Sequence, residues 1–177
     1  MMMIALALLV QDEFYKFPPE TAWTYKRVQN NEERVITAKV LDEKEGRVRL
    51  DWKEARLDGT PEENSEVTWL VKDGILWAEV RAKGEEAVSL ALPILKVGSK
   101  KDDTWTTGAG ESTRLGTEEV KVPAGAYKDA VHTQLKAEGD TLINFYLVPK
   151  VGLVKVTVAP ANGDAITFEL KEFKPVK

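Results

Sequence analysis

The chain has 177 residues, 43% hydrophobic and 31% charged, with a formal charge of −4 and no cysteine. This size and balance fit one soluble globular domain with a real core, not a disordered chain. The lack of cysteine excludes disulfides, thiolate chemistry, iron–sulfur clusters and cysteine-ligated zinc. Basic and acidic residues alternate without forming a basic stripe, so no nucleic-acid partner is expected.

Residues 1–10 form an unbroken apolar run, Met-Met-Met-Ile-Ala-Leu-Ala-Leu-Leu-Val, followed by Gln11-Asp12-Glu13. Ten residues are too short for a membrane-spanning helix but suit the hydrophobic segment of a signal peptide. Ala5-Leu6-Ala7 supplies a small-x-small pattern, although no Lys or Arg precedes the run. The alternative is a buried first strand. The export reading leaves 11–177 as one domain, placed outside the cytoplasm (periplasmic or secreted). No Cys follows the run, so no lipid anchor is expected.

Phe14-Tyr15-Lys16-Phe17-Pro18-Pro19 reads as an extended lead-in. Thr21 to Val28 then alternates with period two, as a half-buried strand does. Further strands are expected at Arg34–Leu41 and Arg47–Lys53, where Val48, Leu50 and Trp52 share a face opposite charged residues. Such alternation points to an antiparallel sheet with one solvated side. Leu57 to Asn64 reads as a loop. Val67–Val71 and Ile75–Val80 flank Lys72-Asp73-Gly74, and Asp-Gly between apolar runs marks a hairpin. A strand over Glu86–Leu92 is expected to stop at Pro93, and a turn from Ile94 onward leads to Trp105-Thr106.

The second half continues with strands near Ser112–Val122, Ala130–Ala137, Thr141–Val148, Leu153–Ala159 and Ile166–Phe173. Gly139-Asp140 and Asn162-Gly163 occupy hairpin positions. No helical periodicity long enough to nucleate follows the N-terminal run. The pattern predicts an all-β chain of roughly ten or eleven strands by the spacing of short strands. Pro-containing lead-ins before Trp23-Thr24 and Trp105-Thr106 suggest a pseudo-repeat of two strand groups.

Three turn motifs carry a resemblance. They are Pro93-Ile94-Leu95-Lys96-Val97-Gly98 with Trp105-Thr106, Val122-Pro123-Ala124-Gly125-Ala126-Tyr127-Lys128-Asp129-Ala130, and Pro149-Lys150-Val151-Gly152-Leu153-Val154-Lys155. Over about Leu92 to Lys174 the chain resembles a bacterial extracytoplasmic family of unknown function. That family is similar to TapB-like proteins within the LolA/LolB-like half-barrel superfamily. The resemblance implies a single, open, strongly curved antiparallel sheet, which in LolA and LolB holds lipid acyl chains. These are turn motifs, so they speak to fold more than to function.

No catalytic set emerges. His132, the only histidine, lacks an identifiable nucleophile and orienting carboxylate, and reads as a sheet-surface residue. The acidic pairs Asp102-Asp103, Glu62-Glu63 and Glu118-Glu119 lack the offsets of a calcium loop. Gly108-Ala109-Gly110 lacks the third glycine and following helix of a phosphate cradle. An enzyme, a metal site and a cofactor are therefore not expected. The remaining candidates are aromatic. Trp52, Trp69 and Trp77 on consecutive strands, with Phe145 and Phe168, are candidates to line a concave face that accepts lipid or another apolar ligand. The alternative is that these rings fill the core of a structural or protein-interaction module.

Overall fold

The computed structural model describes residues 13–176. The expected signal segment at 1–10 lies outside the described residues. Glu13–Tyr15 are helical and lead into an extended segment. Six strands follow, β1 (Ala22–Gln29), β2 (Glu32–Lys44), β3 (Arg47–Arg56), β4 (Pro61–Lys72), β5 (Ile75–Ala82) and β6 (Leu90–Lys96). Six more complete the chain: β7 (Thr104–Thr107), β8 (Gly110–Val122), β9 (Gly125–Lys136), β10 (Leu142–Val148), β11 (Gly152–Ala159) and β12 (Ile166–Lys174). A short 3-10 turn at Glu138–Asp140 joins β9 to β10.

All twelve strands form one antiparallel sheet, ordered β6-β5-β4-β3-β2-β1-β12-β11-β10-β9-β8-β7. The chain thus makes two six-stranded meanders joined where β1 pairs with β12. The pseudo-repeat read from Trp23-Thr24 and Trp105-Thr106 falls at the start of these two meanders. The sheet curls into an almost closed barrel, with a seam between its edge strands β6 and β7. Across the seam, Thr133 Oγ1 on β9 donates to the carbonyl of Ile94 on β6 at 2.6 Å.

Local chemistry explains the meander. Three two-residue turns, Asn30-Asn31, Glu45-Gly46 and Asp73-Gly74, place both central residues at positive φ. That backbone matches the twist of the flanking strands and fixes their register. Two expectations about proline change. Leu57–Asn64 is not wholly a loop, because β4 starts at Pro61, next to a register shift at Glu54/Ala55. Pro93 does not end a strand either, since β6 runs through it to Lys96. β6 is an edge strand, and Pro93 sits beside a register shift opposite Trp77. A residue without an N–H is tolerated at edges and bulges.

The core lies on the concave side. Tyr25, Ile36, Val40, Val48, Leu50, Leu135, Leu147, Val154 and Leu170 are almost wholly buried there. One end of the barrel is stoppered by the N-terminal segment. The Phe17 ring meets Trp23 edge-on at 4.9 Å, and Trp23 lies 5.7 Å from both Trp69 and Phe173. Lys150 N–H donates to the Glu13 carbonyl at 2.7 Å and anchors that segment. At this end β12 leaves β11, because their pairing covers only Lys155–Val158 with Ile166–Glu169. Polar groups occupy the gap. Trp23 Nε1 donates to the Val151 carbonyl at 2.7 Å, Tyr25 OH to Leu153 at 2.9 Å, and Ala124 N–H to Leu170 at 2.9 Å.

Candidate functional site

The opposite end of the barrel is open. Inward residues on β1, β3, β4, β5, β6, β10, β11 and β12 enclose a cavity of about 420 Å³. Its floor and walls are apolar, with Trp69, Val67, Phe145, Val156 and Phe168 among them. Arg27, Glu54, Glu63 and Ser65 are the polar members of the lining. The register explains why these residues converge. Phe145, Val156, Phe168 and Arg27 are successive cross-strand partners, and directly opposed residues share a face. On the other wall Trp52 opposes Ser65, while Val67 opposes Val80.

Four of the five aromatic candidates come together. Trp52, Trp69, Phe145 and Phe168 all line the cavity. Their roles differ. Trp69 is 4% exposed and belongs to the stopper cluster. Trp52 is only partly buried, stacks on Tyr25 at 5.7 Å and bounds the void. Phe168 lies 6.0 Å from the Arg27 guanidinium, within cation–π range. Trp77 is the correction. It pairs with Leu70, not with Trp69, and faces the convex side of the sheet. The Asp73-Gly74 turn sets Trp69 opposite Ala78, so Ala78 takes the cavity position.

A charged rim surrounds the open end. Arg27 Nη1 lies 2.6 Å from Glu54 Oε1, and Arg27 Nη2 donates to Gln29 Oε1 at 2.5 Å. Arg34 pairs with Glu62 and reaches Glu54 at 3.4 Å, while Arg56 Nε meets Glu62 at 2.5 Å. The hydrogen bond from Arg56 holds the Glu62 carboxyl below its ordinary range. Composition alone did not distinguish these residues from solvated charges. The signal that could have found them was inward parity, since Arg27 and Glu54 continue the faces of Tyr25 and Trp52.

His132 lies on the convex side. It stacks on Tyr146 at 4.3 Å, with Nδ1 2.5 Å from Glu118 Oε1 and Nε2 2.9 Å from Asn144 Oδ1. A carboxylate does orient the ring, and its described partners include no Ser, Thr or Lys side chain. Among the described residues no group of three or more His, Asp or Glu is placed to hold a metal ion. Also among them, no helix is long and apolar enough to cross a membrane.

No protein-family model matches the chain, and no curated protein sequence does. Solved structures share its fold. One, from Parabacteroides distasonis, is described as a candidate lipoprotein. It superposes with a TM-score of 0.60 over 89% of this chain and 97% of its own, at 14% identity. Another, from Bacteroides fragilis, is described as a candidate exported protein with a YmcC-like fold. It gives a TM-score of 0.59 over 89% of this chain and 98% of its own, at 13% identity. At such identities the likeness concerns the fold.

Proposed function

We propose that this protein is an exported, non-catalytic binding module that takes a single hydrophobic chain, of a lipid or a similar amphiphile, into its barrel. The observation that carries the reading is the apolar cavity of about 420 Å³, stoppered at one end and open at the other. It falls within the roughly 300–1,000 Å³ range of small-molecule sites. A core filled to ordinary protein density would leave few voids larger than a water molecule. A wholly packed interaction module would therefore have no such space. The resemblance to half-barrel acyl-chain carriers agrees with the same reading. Placement outside the cytoplasm is supported by the apolar run at 1–10 and by the descriptions of the two structural neighbours.

The test is direct binding of a dodecyl chain below its micelle concentration, followed by titration calorimetry. The control is Val80→Trp, which places a large ring into the cavity wall. The expected result is one chain per protein in the wild type and none in a folded Val80→Trp protein. Equal binding by both, or binding by neither, would refute the proposal.

A further inference from the structure

The cavity's charge lies at its mouth. Among the described residues, three ionisable groups that carry charge at neutral pH line it, namely Arg27, Glu54 and Glu63. The single cation is already engaged. Its guanidinium is held by Glu54 at 2.6 Å and by Gln29 at 2.5 Å. Glu54 also lies 3.4 Å from Arg34, so it is held by two cations, while its cross-strand partner is Glu63. Glu63 has no ion pair or hydrogen bond among the described residues. A head group arriving here meets a neutralised arginine and an uncompensated carboxylate.

The surrounding turns add the same sign. Those after β3, β5, β9 and β11 bring Asp58, Glu85, Glu86, Glu138, Asp140 and Asp164 to the open end, against Lys83 in the turns and Arg34, Arg56 and Lys136 on the strand ends. Asp140 is paired with Lys136, and the other five acids make no ion pair with a described residue, whereas Arg56 pairs with Glu62 and Lys83 with Asp51. A cleft edged by one sign of charge, with low-dielectric walls, concentrates ligands of the opposite sign.

Resting on the reading of the cavity as an apolar-ligand site, we infer that the preferred ligand is a single-chain amphiphile with a cationic head. The chain occupies the cavity, and the ammonium-type head sits beside Glu63 at the rim. A carboxylate or phosphate head would have to displace Glu54 from Arg27 and lie against Glu63. The volume also limits the tail. A site near the lower end of the usual range has space for one chain, not the several chains of a multiply acylated lipid.

The experiment compares dodecylamine, dodecanol and dodecanoate, each below its micelle concentration, by calorimetry at neutral pH and low salt. The expected order is amine, then alcohol, then carboxylate, with the amine about tenfold tighter than the carboxylate. Higher salt should narrow the gap, because the rim is solvated and screening acts on it. Glu63→Gln should narrow the preference for amine over alcohol, read as the ratio of the two affinities within the same variant. Dodecanoate binding as well as or better than dodecylamine would overturn the head-group assignment and leave the cavity reading standing. So would a Glu63→Gln protein with wild-type preference. Failure of all three ligands to bind would remove the cavity reading as well.

Discussion

Trp52 and Trp69 both line the cavity, yet their truncation should have opposite signatures. Trp69 is 4% exposed and contacts Trp23 at 5.7 Å and Phe17 at 6.4 Å. Trp69→Ala removes a ring enclosed by the stopper cluster, so the loss should be about 3–5 kcal/mol. Trp52 contributes its stack on Tyr25, worth about 0.5–1.5 kcal/mol. The area it buries as a partly exposed ring adds about 1 kcal/mol. Trp52→Ala should therefore cost about 1.5–2.5 kcal/mol. For a chain of this length each kcal/mol moves Tm by about 2–4 °C. Thermal and urea unfolding should thus place Trp69→Ala clearly below Trp52→Ala. Binding of a dodecyl chain should weaken about five- to tenfold in Trp52→Ala, the equivalent of about 1 kcal/mol of apolar contact. Equal destabilisation by the two substitutions, with unchanged binding in Trp52→Ala, would show that the Trp52 ring borders no free space.

Two other expectations follow from the stoppered end. Burial pushes the Tyr25 phenol far above its ordinary value, with the nearby Tyr127 acting in the same direction. The native phenol stays protonated while the unfolded one ionises above about pH 10, so stability should fall with rising pH from there upward. Tyr25→Phe should remove that alkaline component and cost about 0.5–1.5 kcal/mol at neutral pH for the lost bond to Leu153. Urea titrations at pH 8 and pH 11 check this, and an identical pH dependence in both proteins would contradict it. Gly152 and Gly125 form a second pair. Gly152 has φ of +85° and an added Cβ would meet the Phe17 ring at 3.2 Å, whereas Gly125 has φ of +141° and open space around it. Both Val substitutions should cost about 1–3 kcal/mol in backbone strain, with Gly152→Val the larger. Denaturant midpoints equal to wild type would rule out the strain.

Much of the fold is legible because antiparallel meanders are local. Alternation in residues such as Val48, Leu50 and Trp52 names a face, and turns such as Asp73-Gly74 fix pairing. The same turn shows why Trp77 was misplaced. A two-residue turn centred on Asp73-Gly74 pairs Trp77 with Leu70 and Ala78 with Trp69. That register follows from the turn alone, whereas the closeness of Trp69 and Trp77 in sequence says nothing about a shared face. Spacing predicts ten or eleven strands against the twelve observed, and it reads Leu57–Asn64 as a loop and Pro93 as a stop where bulge and edge positions accept proline. The cavity was not legible. Whether inward rings fill a barrel or leave space depends on its circumference and on the stopper built by Phe17. Both arise from contacts far apart in sequence, such as Trp23 with Val151. The rim was hidden for a related reason, since Arg27 and Glu54 meet only once β1, β2 and β3 are laid side by side.

The central claim is that an apolar chain enters the barrel, and site-resolved fluorescence quenching measures it directly. A dodecyl chain brominated near its head-group end, bound at one per protein, quenches tryptophans that it touches. Trp52 and Trp69 line the cavity, while Trp77 faces the convex side. The quenched amplitude should fall in Trp52→Phe and stay at the wild-type level in Trp77→Phe. Quenching that survives Trp52→Phe intact and disappears in Trp77→Phe would place the chain on the outer surface and contradict the account.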